Sequence, residues 1–242
     1  MRIVGRTDVG LVRKTNQDDF ACGLFADGCA WAVVCDGMGG VNGGSVASSM
    51  AVSVISEQLK LGYSGDMDTA SIKKLLFAAL SEGNAKVFQA GRSDESLFGM
   101  GTTVITCIAT SQNAYIVHAG DSRAYIIASG SAVLLTRDHS IVQEMLDSGK
   151  LNPEEALSHP QRNIITRALG VDETLNIDFC ETTFADDAAM LICTDGLTNI
   201  VQAQVIADIV RNESCHEPVS SLIAQANENG GTDNITVVLI NK

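Results

Sequence analysis

An α+β layered sandwich is the fold this sequence predicts, and three features predict it. Strand-like apolar runs cluster in the middle of the chain, while amphipathic helical segments come in pairs near both ends. The breaks between the central runs, Ser111-Gln112-Asn113 and Ser129-Gly130-Ser131, are short and polar, which favours antiparallel hairpins. Sheets built this way need cover on their outer faces, and the paired helices supply it.

In chain order, residues 2–5 and 20–25 read as short strands on either side of a polar stretch, and 31–35 as a buried strand. A helix comes next over about 44–60, where Val46, Met50 and Val54 recur at helical spacing beside Ala47, Ala51 and Ile55. A second helix spans about 69–90, with Ile72, Leu75, Leu76, Ala79 and Leu80 as its inner stripe. Strands are expected at 102–110, 115–119 and 123–128, with a further one at 132–135. From 136 to 170 the pattern turns polar. Ser140 and Gln143 fit a capping box for a helix to about 148, and Pro153 and Pro160 punctuate the rest of the segment. That segment reads as a flap-like insertion over a single domain spanning 1–242. Strands resume at 175–183 and 188–194, helices at about 202–211 and 218–227, and a last strand at 235–240.

Composition narrows the function. With 242 residues, 45% apolar and 19% charged, the chain is an ordinary globular protein able to bury a large core. A net charge of −13 argues against nucleic acid or an anionic membrane as partner. No apolar run is long enough to cross a bilayer, and the amino terminus lacks the apolar centre of a secretory signal. Seven cysteines without a C-x-x-C pair, three of them (Cys35, Cys107, Cys193) inside apolar runs, suit a reducing cytoplasmic setting.

Carboxylates at strand ends carry the chemistry. Asp36 ends the apolar run 31–35 and precedes glycine; Asp195 does the same after 188–194. Asp121 comes after the run 115–120, Asp18 precedes the strand near Phe20, and Asp233 precedes the last strand. A lone Asp-Gly site of this kind reads first as a turn, and it is the repetition that points to chemistry. If the five converge they repel, and divalent cations resolve that repulsion; an all-oxygen set suits Mg²⁺ or Mn²⁺. Spacing in the sequence does not show that they meet. Zinc, calcium, phosphate-loop, dinucleotide and serine-nucleophile motifs are all missing, as is the Cys-x-x-x-x-x-Arg loop of thiol phosphatases.

The ordered set of motifs resembles the type-2C, metal-dependent Ser/Thr protein phosphatases, bacterial branch. It comprises Thr-Asp-x-Gly-x-x-Arg-x-x-Asn-Gln-Asp from Thr7 to Asp18, Asp36-Gly37-x-Gly39-Gly40 and Gly101-Thr102-Thr103. Gly120-Asp121-Ser122-Arg123, the His159 to Gly170 run, Asp195-Gly196 and Asp233-Asn234 complete it. The resemblance implies a four-layer α-β-β-α sandwich, two packed antiparallel sheets with helix pairs outside. It implies two bound Mn²⁺ or Mg²⁺ ions and a third, weaker one. Asp36 would bridge two metals, the Gly37 carbonyl would bind one, Asp195 and Asp233 would complete the first site, and Asp18 would support the second through water. Asp121 would hold the third metal with Asp195, and Arg13 would grip the substrate phosphate. The implied reaction is hydrolysis of phosphoserine or phosphothreonine in proteins by direct attack of a water shared by two cations, opposing a bacterial Ser/Thr kinase, in a monomer. The other readings are a catalytically silent relative that binds phosphoproteins and a hydrolase of small phosphoesters.

Met38 stands where many members of that family have a histidine, which leaves a metal-held water, His139 or His159 as the general acid. Gln17 stands where glutamate is common. Other polar residues have structural readings. Arg123 is expected to pair with a neighbouring carboxylate, His118 to be a satisfied core histidine, His139 to orient the turn at Ser140, and Asp8 to form a turn with Gly10 or join the site's outer shell. Arg162 and Arg167 are surface charges or substrate contacts.

Overall fold

The computed structural model describes residues 1–212 and 217–242; Cys215 lies outside them. The elements in order are β1 (Arg2–Asp8), β2 (Asp18–Leu24), β3 (Ala30–Met38), α1 (Gly40–Gly62), α2 (Thr69–Ser93), a 3₁₀ turn (Glu95–Leu97), β4 (Gly101–Thr102) and β5 (Val104–Ala109). Next come β6 (Asn113–Ala119), β7 (Arg123–Ala128), β8 (Ser131–Leu134), α3 (Ile141–Asp147) and α4 (Pro153–Leu157). The chain closes with β9 (Asp178–Thr183), β10 (Ala189–Cys193), α5 (Asp195–Thr198), α6 (Ala203–Arg211), α7 (Pro218–Glu228) and β11 (Ile235–Asn241).

Two antiparallel sheets form, in the orders β1-β11-β10-β7-β8 and β2-β3-β5-β6-β9, with β4 paired to β3. Alternate residues of each strand face opposite sides. Ala32 and Val34 of β3 therefore pack with Ile105, Met190, Ile192 and Val238 between the sheets, while Trp31, Val33 and Cys35 pack under α1 and α2. On the other side Leu191, Cys193, Val237 and Leu239 lie under Ile206 of α6 and Leu222 of α7. The result is the expected α-β-β-α stack. Because both sheets are covered on both faces, their central strands are apolar throughout rather than alternating.

The departures from expectation are local and fall around Asp36. Helix α1 begins at Gly40, before the expected Gly44, since its glycines allow close packing instead of a turn. A Cβ on Gly44 would lie 2.7 Å from the Gly37 carbonyl oxygen, and one on Gly43 3.1 Å from Met100 Cβ. The strand expected over 102–110 breaks at Thr103, whose N–H donates to the Asp36 carbonyl (2.8 Å) while its hydroxyl accepts from the Asp36 N–H (2.9 Å). Asp36 and Gly37 are thus strand residues, not a turn.

In the 136–170 segment, Ser140 caps α3 through the Gln143 N–H, but the Gln143 side chain donates to Asp147, so the capping box is half formed. The full box belongs to Asn152 and Glu155 at α4, a helix the prolines hid. The bridge Ser140↔Ile165 ties the segment's two arms together, and Thr102↔Leu169 ties its outgoing end to β4. Among the described residues, no helix is long and apolar enough to cross a membrane.

Candidate metal centre

Asp18 and Asp36 are register partners on β2 and β3, so their side chains share a face. The second sheet reaches this point through two threonines. The hydroxyls of Thr194, after β10, and Thr236, in β11, both donate to Asp18 Oδ2, at 2.9 and 2.7 Å. Thr194 is followed by Asp195, and Thr236 lies three residues after Asp233. The contact that joins the sheets therefore brings those two carboxylates to Asp18 and Asp36. Asn234 adds a staple: its Oδ1 accepts from the Gln17 N–H (2.8 Å), and its Nδ2 donates to the carbonyls of Val9 (2.9 Å) and Thr15 (3.1 Å).

Asp195 opens the short helix α5, with the Asn199 amide donating to its Oδ2 at 2.8 Å. Gly196 behind it is required by space, because a Cβ there would sit 1.9 Å from the Asn234 carbonyl oxygen. Gly37 is equally confined: its N–H donates to the Gln17 carbonyl (3.0 Å), and a Cβ would lie 2.0 Å from the Gly44 carbonyl oxygen. Asp121 sits in the turn that carries the chain from β6 to β7. The neighbouring Ser122 hydroxyl pairs with Thr103 (2.8 Å), the residue that also holds Asp36.

These acids feel one another. Burial pushes the Asp36 carboxyl well above the ordinary range, and Asp18, Asp195, Asp121 and Asp233 push the same way. Burial raises Asp18 to about 7 against the two threonine bonds, with Asp195 and Asp233 adding to the rise. Asp121 is raised to about 7 by burial, then by Asp195 and Asp138. Asp195 is raised by burial and Asp233, with hydrogen bonds from Asp36 and Asn199 opposing. Among the described residues, Asp18 Oδ1 and Asp195 Oδ1 are buried without a hydrogen-bond partner. Buried unpaired carboxylate oxygens are costly. Hard, all-oxygen donors of this kind fit Mg²⁺ or Mn²⁺.

Arg13 stands at the rim. Its Nη2 donates to Asp233 Oδ2 at 2.8 Å, with the two side chains 51% and 32% exposed. The loop that carries it is fixed by Asp8 Oδ1 accepting from the Gly10 N–H (2.9 Å) and by the Leu11 and Val12 N–H groups on the Gly231 carbonyl. The expected Asp8–Gly10 turn is therefore present. The buried thiols of Cys35 and Cys107 have pKa values raised by burial, which leaves them inert.

A second polar cluster lies beside the first. His118, His139 and Asp178 present ligand atoms within 4.8 Å of one another. The place is taken by a cation already, because Arg167 Nη1 lies 2.8 Å from Asp178 Oδ1 and 3.1 Å from His139 Nε2. Arg167, its side chain 38% exposed, is a surface charge paired with Asp178. Arg123 pairs with Asp138 as expected, Nε to Oδ1 at 2.9 Å. His118 is less satisfied than expected, since Nε2 meets the Arg137 carbonyl but Nδ1 has no partner among the described residues. Both ring nitrogens of His139 are engaged, Nδ1 by the Gly120 N–H and Nε2 by Asp178.

Sequence reading missed Thr103, Thr194, Thr236 and Asn234 as organisers of the site. The last carried a signal, a polar residue between Asp233 and an apolar strand; the threonines passed for β-branched strand residues.

The family described as Protein phosphatase 2C matches residues 12–239. Protein phosphatase PhpP of Streptococcus pneumoniae is 38% identical over 245 residues, covering 99% of this chain and 97% of that one. A serine/threonine phosphatase structure from S. agalactiae superposes with a TM-score of 0.92 at 34% identity, over 99% of this chain and 98% of that one. The catalytic domain of the serine/threonine protein phosphatase PstP, solved in complex with two manganese ions, superposes with a TM-score of 0.84 at 30% identity, over 98% and 96%.

Proposed function

This chain belongs to the protein phosphatase 2C family, and from that membership we propose how its own residues carry out the reaction. It is a Ser/Thr protein phosphatase, and its substrates are phosphorylated proteins. Two Mn²⁺ or Mg²⁺ ions, when bound, would supply a water activated near neutral pH and neutralise phosphate charge. Asp36 would be shared between them, with the Gly37 carbonyl, Asp195 and Asp233 on one side and Asp18 supporting the other. Asp121, beside Asp195, would hold a third, weaker ion.

Arg13 contributes geometry as well as charge. Its planar guanidinium offers two parallel N–H donors to phosphate oxygens, which a lysine cannot match. Substrate phosphate would draw it from Asp233, an exchange open to an exposed pair at low cost. Thr194, Thr236 and Asn234 keep the acids in register between the two sheets. No protein nucleophile takes part, so the phosphoryl group goes directly to water.

The observation that carries this reading is the pair of buried, unpartnered oxygens on Asp18 and Asp195 within a set of mutually repelling acids. A silent phosphoprotein binder has no physical use for such a cost. We take the chain as one catalytic domain with 136–170 as a flap, acting as a monomer in the cytoplasm against a Ser/Thr kinase. The test is turnover of a phosphothreonine peptide with Mn²⁺ and with EDTA. Turnover with Mn²⁺ alone supports the mechanism; equal turnover in both contradicts it, and none in either favours the silent binder.

A further inference from the structure

Asp121 is bracketed. On its amino-terminal side Gly120, at φ 110°, is gripped twice by His139: the His139 N–H donates to the Gly120 carbonyl (3.0 Å), and the Gly120 N–H donates to His139 Nδ1 (3.2 Å). On the other side the Arg123 guanidinium is held by Asp138, Nε to Oδ1 at 2.9 Å and Nη2 to Oδ2 at 2.6 Å. Two consecutive residues at the root of the 136–170 segment therefore clamp both flanks of one acid.

The clamp is itself supported. An Nδ1 that accepts leaves the ring proton on Nε2, where Asp178 Oδ2 at 3.2 Å receives it, while Arg167 Nη1, 3.1 Å from Nε2, donates to Asp178 Oδ1 at 2.8 Å and holds that carboxylate in place. The His139 ring is 5% exposed and stacks on His118 at 4.7 Å between centroids, which fixes its plane. The His139 carbonyl accepts from the Thr166 N–H (2.7 Å), so the outgoing arm of the segment is tied to the same residue. No side chain fits at Gly120, since a Cβ there would lie 2.7 Å from Thr103 Cβ.

We propose that His139 is a positioning residue for Asp121, its Nδ1 fixing the Gly120 peptide so that the Asp121 carboxylate is presented to a cation beside Asp195. The proposal rests on Asp121 as a ligand of the third, weaker ion. It makes the root of the flap part of that site.

The chemistry distinguishes variants of similar size. An asparagine side-chain oxygen can replace Nδ1, whereas glutamine places its oxygen where Nε2 was. Mn²⁺ binding to the full chain, followed by calorimetry and by Mn²⁺ EPR, is compared for wild type, His139→Asn, His139→Gln and Asp121→Asn. We expect His139→Gln to weaken the weakest binding step at least about tenfold, with the tight steps within about twofold, and His139→Asn to stay within about threefold of wild type. Asp121→Asn should abolish the weak step. A weak step unchanged in His139→Gln, equal losses in the two His139 variants, or parallel weakening of every step would overturn the proposal. If Asp121→Asn leaves every step intact, it is the reading of Asp121 that fails, and the clamp loses its purpose with it.

Discussion

Asp18 and Asp36 face each other directly across the β2–β3 ladder, two like charges fixed side by side by backbone register. Directly opposite like charges destabilise a sheet. Here the second sheet adds to the strain, because the threonines that anchor Asp18 bring Asp195 and Asp233 with them. The fold holds its acids together by hydrogen bonds that do nothing to cancel their charge. Cations are what would cancel it.

The first consequence is an inverted pH dependence of stability without metal. Asp18 and Asp121 are raised to about 7 in the folded chain, against 3.8 for the ordinary group. The folded state thus holds protons that the unfolded chain releases, so their stabilisation is complete below about 4 and is lost as pH rises through 7. In EDTA, the melting temperature should fall by at least about 4 °C between pH 5.5 and 7.5, taking about 2–4 °C per kcal/mol for a chain of this size. With excess Mn²⁺ the trend should reverse, because ligands must shed protons to bind. Parallel melting profiles with and without metal would refute this.

Asp36→Asn should separate stability from function. The substitution removes a buried charge repelled by Asp18, Asp195, Asp121 and Asp233. The variant in EDTA should melt at or above wild type, while Mn²⁺ adds little to it and turnover falls at least about a thousandfold, the loss expected when the chief charge-stabilising groups of a site are removed. Thermal melts and steady-state kinetics on one preparation check both halves.

Arg13→Ala should leave metal binding alone. Its pair with Asp233 is half exposed, and such pairs contribute about 0–1 kcal/mol. We expect kcat/KM to fall about 10–100-fold, the loss of one charge-assisted phosphate contact of about 1.5–3 kcal/mol, with Mn²⁺ affinity within about twofold. A larger loss of Mn²⁺ affinity than of kcat/KM would mean that Arg13 serves Asp233 instead of substrate.

Gly196→Ala tests how tightly the Asp195 turn is fitted. The new methyl would meet the Asn234 carbonyl oxygen at 1.9 Å, and backbone cannot swing aside as a side chain can. A loss of about 3 kcal/mol or more in unfolding free energy, with weakened Mn²⁺ binding, is the expected result. A stable variant with normal Mn²⁺ affinity would show that the loop has slack.

Much of this was legible in the sequence, and the parts that were not have a common cause. Asp36 and Asp195 stood out because each ends an apolar run and precedes glycine, and the helix pairs announced themselves by period. The meeting of the acids did not, since it depends on Thr194 and Thr236 crossing between sheets to Asp18, a contact between residues 176 and 218 positions apart. The start of α1 was misplaced because glycines that signal a turn in isolation serve close packing here. The pairing of Arg167 with Asp178, eleven positions on, has no local signal either. Local pattern sets the elements; long-range hydrogen bonds set the site.

The most direct measurement is anomalous scattering from crystals grown with Mn²⁺. Two strong peaks roughly 3.5–4 Å apart, the usual spacing of a two-metal hydrolase, are expected with Asp36 between them and Asp195 and Asp233 around one. Peaks confined to the His118–His139–Asp178 cluster, or no peak among the five acids at saturating Mn²⁺, would contradict the account.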